Sequence, residues 1–282
     1  MTELVLLVSP HSDDISMSAF GIVSKKRISG EVTLLTVFSQ SDYLVFGRGV
    51  FASTRVLSLV PKPSELADSV SRNAHAFGAN PKSIFRMFLD PNEASKVSRI
   101  RLLEDIAFSK KTGMKFRYFD FPSSGIRQGR PIMDPNWPLA SEEELLGRIT
   151  SALQEAVSRL RVNAIAAPWP YGPRQHLDHR LVNVAATRVA EEKGIRLFYL
   201  DDQPYSRRPL EIMQDARGHC YTPGLVRLDQ SEMRGKLEAM ATYRSQMTPD
   251  YFRAVSMAPP GSPSESNSET LWEQTSLKGG SG

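Results

Sequence analysis

At 282 residues with 40% hydrophobic side chains, the chain is long enough for one large α/β domain or two small ones and carries ample apolar material for a core. A net charge of +4, with Lys and Arg scattered rather than blocked, leaves no basic footprint for nucleic acid. One cysteine, Cys220, excludes both an intramolecular disulfide and a cysteine zinc cage, so a metal would need His and carboxylate ligands.

In chain order, Leu4 to Val8 reads as a strand buried on both faces and stops at Pro10. His11, Asp13 and Asp14 follow, and Ile15 to Lys26 reads as a helix whose N-terminal dipole favours ionised carboxylates at its head. Gly30 ends that helix and Glu31 to Phe38 is a second strand, giving a βαβ unit. Ser39 to Asn92 holds short apolar pieces and a helix expected around Leu66 to Phe77; it is expected as a lid over a site or as an oligomer contact. Ser95 to Lys110 reads as a helix, Lys115 to Phe119 as a strand, and Asp120 to Pro138 as a loop. Ser141 and Glu144 form an expected capping box for a helix from Glu142 to about Leu160, followed by a strand over Val162 to Ala167.

A second cluster then repeats the first layout. His176, Asp178 and His179 head a helix that runs to about Glu192 and stops at Gly194. Ile195 to Leu200 is another strand, and Gln230 to Gln246 a last amphipathic helix. From residue 257 the composition turns to Pro, Ser, Gly, Asn and Glu, which predicts a flexible tail over 257–282 after a single domain over 1–256, with Leu271 and Trp272 as a docking spot within the tail. The alternation predicts a parallel-rich, Rossmann-like sheet with helices on both faces. No apolar run approaches membrane-spanning length, and the first strand begins too near Met1 for a signal peptide, which predicts a cytoplasmic protein.

Three of the five histidines fall in the two clusters, at two strand ends. Two imidazoles and a carboxylate from His11, Asp14 and His179 suit a divalent metal with an open position for water, and a neighbouring carboxylate outside the ligand set, Asp13, can take that water's proton. Adjacent residues point in different directions, and spacing leaves open which aspartate faces the metal. His176, when protonated, can stabilise an oxyanion and then protonate an amine leaving group. The competing readings are structural: Asp13 or Asp14 as a helix cap, Asp178 as a cap or a brace for a histidine, His176 as a hydrogen-bond donor behind the site. Trp169, Tyr171, Arg174 and Tyr205 lie beside the proposed metal edge and suit a sugar or a phosphate-bearing sugar conjugate, each with packing as the alternative. The sum is metal-assisted hydrolysis of an amide or ester.

PHSDD and HLDH resemble the paired signatures of the PIG-L/LmbE family of zinc-dependent N-acetylglucosaminyl (amino-sugar) deacetylases. TVFSQSDY, RLLED, FDFPSSGIR, YLDDQPY and KLEAMATYRSQ resemble family segments in the same order, over roughly residues 3 to 250. The resemblance implies a Rossmann-like fold without a nucleotide, Zn2+ (or Fe2+, which the same ligands suit) on His11, Asp14 and His179, Asp13 as general base and His176 as catalytic histidine. Arg101, in RLLED, joins the substrate-binding candidates. It implies removal of acetyl from an N-acetylated amino sugar in a glycoconjugate or natural product. The alternatives are an amidase for another acyl group and a catalytically silent sugar-binding member. Ser123 and Ser124 stand where the family often has an Asp, and Ile15 where it has an acidic residue, departures that bear on sugar specificity.

Overall fold

The structure is a computed structural model that describes residues 3–28, 30–41, 45–46, 49–50, 93–128, 138–169, 176–201, 203, 213–214, 219–247, 251–252, 255 and 268–275. The helix expected over Leu66 to Phe77, most of the Ser39 to Asn92 stretch, and Tyr171, Arg174 and Tyr205 lie outside them.

Strand β1 (Leu4–Ser9) is the middle strand of the parallel part of the sheet. It pairs in parallel with β2 (Glu31–Thr36) on one side and β6 (Ala164–Pro168) on the other, with Leu7 opposite both Leu34 and Ala166. Its side chains alternate between two cores, as a pleated strand requires. Leu6 and Val8 pack with Leu146, Ile149 and Leu153 of α5 (Glu143–Leu160) and Leu181, Val182 and Ala185 of α6 (Leu177–Lys193). Val5 and Leu7 face the other way, to Ile15 of α1 (Asp14–Ser18), Ile22 of α2 (Phe20–Ser24), Phe108 of α3 (Glu93–Thr112) and Met233 of α7 (Gln230–Met240). The parallel part is completed by β5 (Lys115–Tyr118) beyond β2 and β7 (Arg196–Leu200) beyond β6. β3 (Val45–Phe46) and β4 (Gly49–Val50) form a separate small hairpin.

The chain moves outward from β1 to β2 and β5, then returns to β6 on the opposite side of β1. β1 and β6 therefore border the switch point of the sheet, where the loops after neighbouring strands diverge and leave a crevice. His11 follows β1, and His176 to His179 follow β6.

The sheet does not end at β7. An antiparallel extension, β10 (Ser268–Thr275), β9 (Cys220–Arg227) and β8 (Met213–Gln214), continues it in that order to eight strands. This corrects the expected tail: residues 268–275 form an internal strand, with Leu271 opposite Leu200 and Trp272 opposite Tyr199. Average composition hid it, because eight residues of strand are diluted by their Pro- and Ser-rich approach. Trp272 is fully buried and donates from Nε1 to Asp201 at 3.1 Å. Glu269 forms a buried ion pair with Lys236 of α7 at 2.8 Å and accepts the Ile22 N–H at 2.9 Å. β9 escaped the sequence reading for another reason: Pro223-Gly224 in its middle reads as a turn.

Three local expectations are also corrected. The single helix from Ile15 is two short ones that break at Ala19, where neighbouring serines compete with the helix ladder; Ser16 Oγ donates to Asp13 O at 2.6 Å. The capping box at Ser141 and Glu144 does not form. Leu139–Glu142 makes a 3₁₀ turn instead, and Ser141 Oγ donates to Pro138 O at 2.7 Å. The helix expected to reach Gln246 stops at Met240, because the following turns bond to α3, where Glu104 accepts from the Ser245 N–H and Oγ, each at 2.7 Å.

Candidate metal centre

The turn between β1 and α1 is held by its own side chains. Asp14 Oδ2 accepts the His11 N–H at 2.8 Å, and Ser9 Oγ donates to His11 O at 2.5 Å. On the β6 side, Asn183 donates from Nδ2 to Pro168 O at 2.7 Å and fixes the head of α6 to the strand end. His176 caps α6, its Nδ1 accepting the Asp178 N–H at 3.1 Å; Gly194, at φ +62°, closes the helix. These constraints bring residues far apart in sequence together. His11 Nδ1 lies 3.4 Å and His179 Nε2 3.5 Å from Asp14 Oδ2, and the His11 and His179 ring centroids are 5.3 Å apart. All three side chains are buried.

Among the described residues, two trios place ligand atoms within 4.8 Å of one another: His11, Asp14 and His179, and His11, His176 and Asp178. Hydrogen bonding separates them. Asp178 Oδ2 accepts from His11 Nε2 at 3.0 Å and from the Ser124 N–H at 2.9 Å, and His176 Nδ1 is already taken by a backbone N–H. The second trio has spent its lone pairs on protons. In the first, the proton on His11 Nε2 leaves the Nδ1 lone pair facing Asp14 and His179, which is the donor set of an N₂O divalent-metal site. Asp178 is the brace for His11, and Arg127 of α4 (Ser124–Gln128) braces Asp178 in turn, Nη2 to Oδ1 at 2.9 Å.

Electrostatics divide the two adjacent aspartates. Burial opposes ionisation of Asp14, but His179 and His11 outweigh it and hold its carboxyl well below the usual range. Asp178 is likewise held ionised against burial, by His11, His176 and Arg127. Asp13 goes the other way: burial and the Asp14 charge push it up, against a smaller pull from Arg101. Asp13 stands at the N-cap position of α1 but its side chain makes no capping bond, which removes the cap reading. Burial and the neighbouring His11 push the His176 imidazole down, so it is neutral with its proton on Nε2.

The substrate candidates fare unevenly. Trp169 is 1% exposed and packs edge-on against Tyr199 and Tyr221 beside Trp272; it belongs to the core, and its assignment to substrate is corrected. Arg101 reaches the site from α3, buried and hydrogen-bonded to Gln246, with its charge acting on Asp13 and Glu104. Sequence reasoning missed Arg127, Glu104 and Asp105, although each lies in a segment it had singled out.

Burial holds the carboxyls of Glu104 and Asp105 up at about 7, from ordinary values of 4.5 and 3.8, although hydroxyl donors pull both down. In the window between those values the folded protein keeps protons that the unfolded chain has released. The stability these groups contribute is therefore complete below about pH 4 and lost as pH rises through about 7. Calorimetry of the metal-free protein should show Tm falling from about pH 5 to about pH 8, with a flatter decline in Asp105→Asn.

Fold and site together define an α/β protein with a His–Asp–His trio that could hold a divalent metal at the switch point of its sheet. The sequence profile of the PIG-L family, described as GlcNAc-PI de-N-acetylase, matches residues 6–190, and the chain belongs to that family of deacetylase hydrolases. It is 24% identical over 248 residues to the 2'-N-acetylparomamine deacetylase of Streptomyces fradiae, covering 86% of this chain and 72% of that protein. Its fold is that of a deacetylase of the teicoplanin biosynthesis pathway (TM-score 0.62, 17% identity, 96% of this chain and 98% of that one). It is also that of the A40926 pseudoaglycone deacetylase (TM-score 0.59, 19% identity, 96% of each chain). No described helix is long and apolar enough to cross a membrane.

Proposed function

We propose that the chain is a zinc-dependent N-deacetylase that releases acetate from an N-acetylated amino sugar carried on a natural product. The observation that supports it most is the pairing of an N₂O cradle, whose His11 and His179 lone pairs converge on Asp14, with an adjacent carboxylate, Asp13, that neither ligates nor caps. The substrate class rests on the relatives, since the Streptomyces fradiae protein is named for 2'-N-acetylparomamine and the structural neighbours for teicoplanin biosynthesis and the A40926 pseudoaglycone. A divalent ion on His11, Asp14 and His179 would supply Lewis acidity and lower the pKa of water.

The chain's own groups do the rest. Asp13 takes a proton from the attacking water as the new C–O bond forms, and burial together with the Asp14 charge raises its affinity for that proton. His176 offers Nε2–H to the oxygen on which negative charge develops. The C–N bond then breaks, and the protonated Asp13 returns its proton to the departing amine; a neutral imidazole is the poorer donor.

The test is acetate and amine release by the Zn2+-loaded protein over a series of N-acyl glucosamine conjugates. N-acetyl should be cleaved fastest; a longer acyl group favoured by tenfold, or no turnover at all, would overturn the reading. His179→Ala should emerge from elemental analysis without metal, and metal retained at wild-type stoichiometry would refute the ligand set.

A further inference from the structure

The turn that carries His11, Asp13 and Asp14 is tied to α3 by a bond the reaction itself does not use. Ser12, between His11 and Asp13, is buried and donates from Oγ to Asp105 Oδ2 at 2.9 Å, across 93 residues of chain. Asp105 is held from two more directions, by the Tyr118 hydroxyl of β5 on Oδ2 at 2.8 Å and by the Tyr243 hydroxyl after α7 on Oδ1 at 2.8 Å. A carboxylate with three hydroxyl donors from three elements, itself 1% exposed, has almost no freedom to move. Four residues earlier on α3, one helical turn away, Arg101 places its charge near Asp13. Ser12, Arg101, Asp105 and Tyr118 all line one small cavity beside the turn. On the far side, Asp13 O accepts from Ser16 N at 3.1 Å and Ser16 Oγ at 2.6 Å, so the Asp13 backbone is clamped from one side by α1 and from the other by α3 through Ser12.

We propose that Asp105 is a positioning residue for the general base: through Ser12 it fixes the backbone from which Asp13 projects and so sets the reach of that carboxylate. This rests on the assignment of Asp13 above. A base must stand within hydrogen-bond reach of its proton, and a displacement of about 1 Å can cost about 100-fold in rate. The ligands should be less sensitive, because Asp14 is held independently by the His11 N–H and His179 rides on α6.

The experiment compares Ser12→Ala, Asp105→Asn, their combination and Tyr243→Phe by kcat, KM, Zn2+ affinity in chelator competition, thermal unfolding and amide hydrogen exchange. Ser12→Ala and Asp105→Asn should each lower kcat by about 10- to 100-fold with KM and Zn2+ affinity within about threefold of wild type. The double variant should be no slower than the worse single one, since both act on the same tie: Ser12→Ala removes its donor, and Asp105→Asn replaces one of the two acceptor oxygens by a donor. Tyr243→Phe, which removes a bond on the other oxygen, should lower Tm and leave kcat within about threefold. Exchange of the amides from Asp13 to Ser16 should quicken about tenfold in Ser12→Ala while β1 stays protected. Wild-type kcat in Ser12→Ala, multiplying losses in the double variant, or unchanged exchange in the turn would overturn the proposal. If the wild-type protein cleaves no N-acyl sugar, the deacetylase reading fails, whereas the exchange measurement still decides whether Asp105 orders the turn. Ser12→Ala removes a single buried hydroxyl and keeps the test open should Asp105→Asn fail to fold.

Discussion

Replacing Asp13 by asparagine should reduce turnover by about 10²- to 10⁴-fold while the protein still binds one Zn2+. The two halves of this result follow from different atoms. The cradle is made by His11 Nδ1, Asp14 and His179 Nε2, and the Asp13 side chain contributes nothing to it. Asparagine has nearly the same shape, keeps the Asp13 backbone bonds to Ser16, and cannot accept a proton at neutral pH. It also removes one negative charge beside Asp14, so Asp14 should ionise at least as readily as before. Turnover and metal stoichiometry measured on the same preparation check both halves. Loss of metal together with rate would make Asp13 a ligand, and retention of rate would give the base to another residue.

Ending the chain after residue 267 should abolish cooperative folding. The missing segment contains β10, which lies between β7 and β9, so its removal strips two strands of their partner at once. Lys236 would be left buried without Glu269, a loss of about 3–5 kcal/mol for a broken buried pair. The space of Trp272 would add about 3–5 kcal/mol. Ile22 N–H would lose its carboxylate as well. Against a total stability of about 5–15 kcal/mol for a typical domain, these losses leave little or nothing. Circular dichroism during heating is the check; a sigmoidal transition within about 5 °C of the full-length protein would show that the strand is dispensable.

The parallel half of the sheet was legible because its inner strands are short, predominantly apolar runs next to helical patterns: Leu4 to Val8, Glu31 to Phe38 and Val162 to Ala167 all fall within a residue or two of the observed strands. The convergence of His11, Asp14 and His179 was legible for a related reason. Rare residue types stood just past the ends of two such runs, and a parallel sheet brings equivalent strand ends to one edge. What stayed hidden depends on contacts between distant segments. Trp169 looks like a sugar platform in sequence, and only the arrival of Tyr221 and Trp272 from the antiparallel extension makes it core. Asp105 and Arg127 lie on helices among ordinary charged residues, and nothing local distinguishes a carboxylate that reaches Ser12 or a guanidinium that reaches Asp178 from solvated neighbours.

The place of β10 also bears on how the protein is made. During synthesis every ligand of the cradle leaves the ribosome before the strand that joins β7 to β9. Until that strand arrives, β7 presents an unpaired apolar rim, and the β8–β9 ribbon has no sheet to join. Slow translation or early release in this interval would hand the cell a nascent chain with its His–Asp–His trio already synthesised and its flank open to chaperones or to aggregation.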